Sequence, residues 1–356
     1  MKKVFYILAA TLTSSFAFAQ EDEKPASPAT TWGGSADAYY KYDFSKQMNG
    51  LTSFTNSQDS FELGMASIEA GHTFGKASVF VDLGFGKRAG EFSYNETTDK
   101  DINAKFLIKQ LFFTYQITDE FKVVAGSFGT HIGYEVLDAV DNKNYSMSYA
   151  FSYGPFFNTG VKAQYTSGKF TAMFGVTNPT DFKSAMDAGS TQKTYIGQVG
   201  YIGETGSAYL NFTSGSSNPA SDENKTQFDL TASKTISDSF GLGLNATYAK
   251  TKNDFDSTLD GEWFSLVGYA NYSFSPSLLL AYRIEYFDAK DAAPSLGTLT
   301  GSSVFANTVS LNYKVGKLTI IPELRYDAAS EDIFLDSDAA PTGGSFFALL
   351  ATTYSF

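Results

Sequence analysis

Phe346-Phe347-Ala348-Leu349-Leu350-Ala351-Thr352-Thr353-Tyr354-Ser355-Phe356 closes the chain. Counted back from Phe356, every second residue (Tyr354, Thr352, Leu350, Ala348, Phe346) suits a lipid-facing position. Period-two alternation over eleven residues, with aromatics where a bilayer interface would fall, is the pattern of a transmembrane β-strand. A strand of this kind cannot cross hydrocarbon alone, because its unpaired backbone groups would lie in lipid, so it predicts a closed barrel.

The opposite end sets the compartment. Met1, Lys2 and Lys3 precede an apolar run from Val4 to Ala10 and a small-residue cleavage site at Ala17-Phe18-Ala19, which reads as a secretory signal peptide over residues 1–19. Residues 20–31, with Pro25 and Pro28 among Glu, Ser, Ala and Thr, read as a periplasmic lead-in, and the barrel domain is expected over 32–356. That lead-in is too short for the plug of an energy-coupled transporter or the hatch of a fatty-acid channel. The chain has no cysteine, so disulfides, thiolate metal sites and a lipidated cysteine are excluded.

Composition points the same way. There are 33 Phe, 22 Tyr and 31 Gly with only 18% charged residues, yet mean hydropathy is slightly below zero. Alternating lipid-facing and lumen-facing residues average to such a value, whereas a water-soluble domain rarely carries so many aromatics. The formal net charge of −12 becomes −14 once Lys2 and Lys3 are removed, which argues against nucleic acid as a partner.

Between the ends the chain repeats one unit: two alternating runs, a tight turn, then a longer polar connection. The turns are Phe74-Gly75-Lys76, Thr118-Asp119-Glu120, Ser167-Gly168, Gly203-Glu204-Thr205-Gly206, Ser237-Asp238-Ser239, Ser275-Pro276-Ser277 and Val315-Gly316-Lys317. Seven hairpins plus a first and a last strand predict an all-β, antiparallel up-and-down barrel of sixteen strands with both termini periplasmic. The long connections, near 45–58, 87–103, 131–155, 178–191, 215–225, 252–261, 289–303 and 327–344, then fall outside the cell. Alternation is plainest at Phe240–Tyr248 and Leu318–Tyr326; the runs 58–73 and 106–117 break parity, which suggests bulges.

Strand number turns fold into activity, because about eight strands are filled by their own side chains whereas sixteen to eighteen leave an aqueous channel. The lumen parity collects Asp37, Lys41, Asp43, Asp82, Lys162, Gln164, Asp229, Arg283, Glu285, Glu323 and Arg325. A charge at the lipid midplane costs roughly 2 to 4 kcal/mol, so these groups require a polar interior. Arg283 with Glu285, and Glu323 with Arg325, are expected to form a lumen ladder of opposite charges together with Asp37, Lys41 and Lys162; such a ladder either sets a transverse field or braces the wall.

The third long connection stands apart. It carries Tyr134, Tyr145, Tyr149, Phe151 and Tyr153 among Glu135, Asp138, Asp141 and Lys143. Folded inward, Tyr134, Glu135, Asp138, Asp141, Lys143 and Tyr145 would form a constriction that selects by size and sign; folded outward, the loop would cap the rim or meet a neighbouring subunit. The last external loop carries Asp327, Glu331, Asp332, Asp336 and Asp338 without a base, which favours weak cation selectivity. Asp254, Asp256 and Asp260 lack the spacing of a calcium loop, so no metal or other cofactor is expected.

Several segments together resemble a known family. They are Ala36-Asp37-Ala38-Tyr39-Tyr40-Lys41-Tyr42, Ile108-Lys109-Gln110, Gly126-Ser127-Phe128-Gly129-Thr130 running into Ile132-Gly133-Tyr134-Glu135, and Asn144-Tyr145-Ser146 through Ser148-Tyr149 to Gly154-Pro155-Phe156. With Thr159-Gly160-Val161, Tyr282–Phe287 and Glu323–Asp327, the chain resembles the OmpL-like β-barrel porin-2 family of Gram-negative bacteria, with Met147 where a second arginine is expected. The resemblance implies passive diffusion of small hydrophilic solutes and an outer-membrane location. Its partners would be outer-membrane lipid and lipopolysaccharide, the barrel-assembly machinery reading Phe356, and further copies of the chain in a homo-oligomer.

Two other functions compete. A closed-lumen barrel would act as an adhesin or surface anchor through its loops. A lipid hydrolase would need His131, which follows Ser127 near the outer rim, beside a serine and an acid, since His72 falls near a periplasmic turn; Ala125-Gly126-Ser127-Phe128-Gly129 misses the Gly-x-Ser-x-Gly pattern at its first position.

Overall fold

The computed structural model describes residues 28–93, 106–184, 192–218 and 223–356. The signal-peptide segment and residues 20–27 of the lead-in lie outside the described residues. Residues 29–31, expected in the lead-in, already belong to the first strand, β1 (Ala29–Asp43).

Sixteen strands close one antiparallel barrel. After β1 come β2 (Ser60–Phe74), β3 (Ala77–Phe85), β4 (Phe106–Gln116), β5 (Phe121–Gly129), β6 (Phe157–Ser167), β7 (Phe170–Thr177) and β8 (Thr194–Ile202). The second half holds β9 (Gly206–Asn218), β10 (Glu223–Thr235), β11 (Phe240–Asn253), β12 (Gly261–Ser275), β13 (Leu278–Asp288), β14 (Ser303–Val315) and β15 (Leu318–Ala329). A two-residue ladder, β16 (Phe334–Leu335) with β17 (Pro341–Thr342), sits inside the last long connection. The final strand β18 (Gly344–Ser355) pairs with both β15 and β1, from Ser35↔Ser355 to Asp43↔Phe347, and so removes the sheet edge.

All seven short turns fall where Gly, Asp, Ser and Pro cluster. In three of them a Gly-Lys pair turns the chain with glycine left-handed, φ 57° at Gly75, 57° at Gly168 and 63° at Gly316, where a Cβ would be strained. Both parity breaks are register shifts: one lies between Ala36 and Ala38 opposite β2, the other between Asp82 and Leu83 opposite β4. The second turns both Lys109 and Gln110 off the lipid face, and both are buried.

Outward positions are apolar and exposed, including Trp32, Phe61, Leu63, Phe113, Phe170, Phe174, Leu350 and Tyr354, as a lipid-facing belt requires. Inward positions are not uniformly wet. Tyr39, Ile321, Phe347, Leu349 and Ala351 pack with Ala139 and Tyr145 of the third long loop, and Phe54, Met65, Phe92, Leu137, Met147, Phe151, Phe156 and Phe157 form a larger cluster from several loops. The protein core therefore lies between the loops and the inner wall. Asp327, expected in the acidic mouth, belongs to β15 and is buried.

Candidate channel constriction

The third loop leaves β5 at Gly129, makes contacts with side chains of several strands and rejoins the sheet at β6. At its start, the His131 imidazole Nε2 lies 2.9 Å from the Phe212 carbonyl of β9, and the Gly133 N–H donates to Asp229 of β10 at 3.0 Å. The Tyr134 ring then stacks on Tyr269 of β12, centroids 4.3 Å apart, over Gly243, where any Cβ would lie 2.6 Å from the tyrosine ring. A glycine there gives the ring its seat.

Glu135 follows, buried, and takes the Arg283 guanidinium of β13. Its other oxygen accepts from the Ser148 N–H at 2.8 Å and the Ser148 hydroxyl at 2.7 Å, while Ser148 also caps the one-turn helix α2 (Tyr149–Ser152) by accepting from the Phe151 N–H. Nearby, the Asn142 amide bonds both the N–H and the carbonyl of Val136, pinning the ascending and descending arms together. The loop is thus held by its own polar side chains as well as by the wall.

Asp138 sits across the lumen on the Lys109 ammonium at 2.8 Å, and Lys109 also meets Asp82 of β3 at 2.9 Å. One cation therefore lies between two carboxylates, and Glu69 of β2 registers with Asp82. At the tip, Asp141 and Lys143 are exposed, and these are the constriction residues with free charge. Both keep solvent contact yet stand between protein walls: these walls, and Asp138 beside it, raise the Asp141 carboxyl above its ordinary value, and the same partial loss of water lowers Lys143, with Asp141 partly offsetting.

Descending, Tyr145 donates its hydroxyl to Asp37 of β1, and its phenol is pushed well above the usual range by burial, so it stays a donor. The Tyr145 and Ser146 N–H groups donate to Glu323 of β15 at 2.7 and 3.1 Å. The Tyr149 and Ala150 N–H groups donate to Glu285 of β13 at 2.9 and 2.8 Å. Arg325 donates to the Met147 carbonyl at 2.7 Å and pairs with Asp327 at 2.7 Å, and the Tyr149 hydroxyl donates to Asp327 at 2.8 Å.

The structure thus places all thirteen residues of the expected constriction and ladder on the interior side but divides them by partner. Arg283, Glu285, Glu323 and Arg325 do not pair with one another across strands; they hold loop backbone and loop carboxylate. Asp37 holds Tyr145, and Lys41 donates to the Thr55 carbonyl of the first loop at 2.9 Å. Lys162 stands apart, its ammonium 3.9 Å over the Phe128 ring.

Sequence reasoning missed Arg88, on α1 (Lys87–Phe92) of the second loop. It is buried, donates to the Leu137 carbonyl at 3.1 Å and faces both Asp37 at 3.9 Å and the Tyr145 ring. Nothing in Lys87-Arg88-Ala89-Gly90 marks it. Lys109 stands out in the sequence only within Ile108-Lys109-Gln110, because the bulge disguises its parity. The His131–serine arrangement that the competing hydrolase reading needs is not assembled: Ser127 registers with Leu111, on the parity of exposed Phe113, while burial pushes His131 down to about 4. No group of three or more metal-ligating side chains is present among the described residues.

A closed sixteen-strand barrel with short turns at one end, long loops at the other and one loop drawn inside is the architecture of an outer-membrane porin. The sequence profile of the OmpL-like beta-barrel porin-2 family matches residues 29–356, and the chain belongs to that family. A comparison with curated proteins finds no match. Among solved structures, the anion-selective porin from Comamonas acidovorans is 13% identical with a TM-score of 0.64, over 93% of this chain and 100% of that one. OmpT of Vibrio cholerae is 13% identical at 0.60 (94% and 100%), and the outer-membrane channel DcaP of Acinetobacter baumannii 12% at 0.59 (92% and 97%). At these identities the likeness is one of fold.

Proposed function

We propose that this porin passes small hydrophilic solutes passively through a water-filled lumen that its third loop narrows, with a weak preference for cations. The observation that carries the reading is the double-sided anchoring of residues 131–155, on Lys109 of β4 and Asp37 of β1 at one side and on Arg283, Glu285, Glu323 and Arg325 at the other. A loop held at both flanks spans the path a solute must take.

The cation preference rests on two places. At the loop tip, Glu69, Asp82, Asp138 and Asp141 are set against Lys109 and Lys143, an excess of two negative charges. In the last external loop, Glu331, Asp332 and Asp338 are exposed and Asp336 half-buried, with no base among them. Both raise the local concentration of cations.

The test is single-channel recording in a planar bilayer under a potassium chloride gradient. Large ohmic steps with a cation-leaning reversal potential support the reading, and deleting Glu135 to Asp141 then enlarges the steps. The second reading, a closed-lumen surface protein, is favoured by the apolar packing of Phe54, Phe92, Phe151 and Phe156 beneath the mouth; absence of conductance from a folded barrel selects it. Partner assignments follow the porin reading: lipid and lipopolysaccharide around the belt, the assembly machinery at Phe356, and a homo-oligomer.

A further inference from the structure

The cations that strands send into the barrel are almost all committed. Lys41 bonds the Thr55 carbonyl, Lys109 two carboxylates, Arg283 Glu135, Arg325 Asp327, and Lys225 the Tyr153 carbonyl at 2.7 Å. Three depart from this rule among the described residues, one of them, Lys314, exposed near the end of β14. Neither Lys122 of β5 nor Lys162 of β6 makes a hydrogen bond or an ion pair with a described residue, and both are half-buried.

The pair is adjacent. Lys122 registers with Gln164 and Val124 with Lys162, so the two lysines are diagonal neighbours on one face, with Cβ atoms about 7–8 Å apart. The Lys162 ammonium rests over Phe128, on the side away from Lys122, and its four-carbon stem lets it swing back so that both ammoniums meet one group between them. Lys162 registers with Gly175 of β7, where a Cβ would lie only 2.8 Å from the Lys162 Cβ, so the glycine makes room for the stem. Gln164 lies beside Lys122 in the same inward row and adds an amide donor.

Two half-buried like charges, one of them over the Phe128 ring, leave a local positive charge that no carboxylate of a described residue pairs with. Loop 3 cancels its own wall charges elsewhere; here the counter-charge has to come from solution. We infer that Lys122 and Lys162, with Gln164, form a lumen subsite for the carboxylate of a small solute in transit. The inference rests on the channel reading above and concerns the solute's acidic end alone. The acidic loop tip sets the preference among small ions at a separate place, so the two do not conflict.

The probe is citrate. The refolded full mature chain is titrated calorimetrically in detergent, and block of its potassium chloride current by citrate is recorded in parallel. Wild type is expected to bind citrate saturably, and Lys122→Gln with Lys162→Gln to raise the half-saturation concentration roughly tenfold, the effect of losing two partly exposed charge pairs. Lys122→Arg with Lys162→Arg should stay within about threefold of wild type. The shifted mobility of the unheated barrel on a gel confirms that each variant is folded. Saturable binding of undiminished strength in the glutamine double variant, or no saturable binding by wild type, overturns the subsite. A barrel that binds citrate but carries no current would instead count against the channel reading and leave the subsite standing.

Discussion

Replacing Glu285 and Glu323 together by glutamine should free the third loop without unfolding the barrel. Each carboxylate accepts two loop N–H groups, from Tyr149 and Ala150 at 2.9 and 2.8 Å and from Tyr145 and Ser146 at 2.7 and 3.1 Å. A hydrogen bond to a charged acceptor is stronger than a neutral one by about 1 kcal/mol, so four such bonds lose about 4 kcal/mol of loop anchoring. At about 1.4 kcal/mol per tenfold, the open population rises roughly a thousandfold. The wall partners Ser265 and Ser310, which bond the same carboxylates at 2.9 and 2.7 Å, lie on strands that keep their ladder bonds, so the barrel itself should hold. The assay is amide hydrogen exchange over residues 144–151, with the β12–β15 peptides as internal reference, accompanied by single-channel noise. Exchange in 144–151 within about threefold of wild type, with quiet traces, would refute the claim that these carboxylates anchor the loop.

Other consequences follow from single positions. Gly243→Ala places a Cβ 2.6 Å from the Tyr134 ring and should expel it from Tyr269; losing a stacked pair worth about 1 kcal/mol should speed exchange of residues 133–135 roughly fivefold. Because the Asp141 carboxyl is raised, acidification neutralises it before ordinary carboxylates, so the cation-leaning reversal potential should begin to decline above the usual carboxylate range and Asp141→Asn should show a smaller decline. A reversal potential flat down to the ordinary carboxylate range would remove Asp141 from the selectivity argument.

What was legible in the sequence was local. Turn chemistry over two to four residues located every hairpin, and period-two alternation separated lipid from interior along Phe240–Tyr248 and Leu318–Tyr326, because each signal depends on immediate chain neighbours. The aromatic density of residues 134–153 marked the loop whose rings pack against the wall, as Tyr134 does on Tyr269 and Tyr149 on Phe287. What could not be read was which interior groups meet. Parity states that Arg283 and Glu323 avoid lipid, but it cannot distinguish a wetted wall from a docking site for a segment well over a hundred residues away in sequence. Arg88 was invisible for the same reason, since its partners are Asp37 and Leu137, and Lys109 was hidden by the register shift that reverses its face.

Burying so many charges has a physical rationale that can be tested at one pair. Apolar contacts such as those of Met147 and Phe151 hold a loop against a wall but tolerate sliding, whereas Arg283, clamped between Glu135 and the Ser146 carbonyl, fixes a single position. Taking both ions from water is costly, so the pair adds little net stability, yet removing one partner strands the other. Glu135→Leu should therefore loosen the loop by about 3 to 5 kcal/mol, read as faster exchange at residues 145–150. Glu135→Leu with Arg283→Met should recover part of that loss, because no uncompensated ion remains although the Ser148 N–H and Ser146 carbonyl lose their partners. If the ion pair specifies position and not just attachment, the double variant will be better protected from exchange than Glu135→Leu while its channel shows a spread of conductance levels in place of one. A single wild-type level in the double variant would show that the other anchors, Glu285, Glu323 and Arg325, suffice to place the loop.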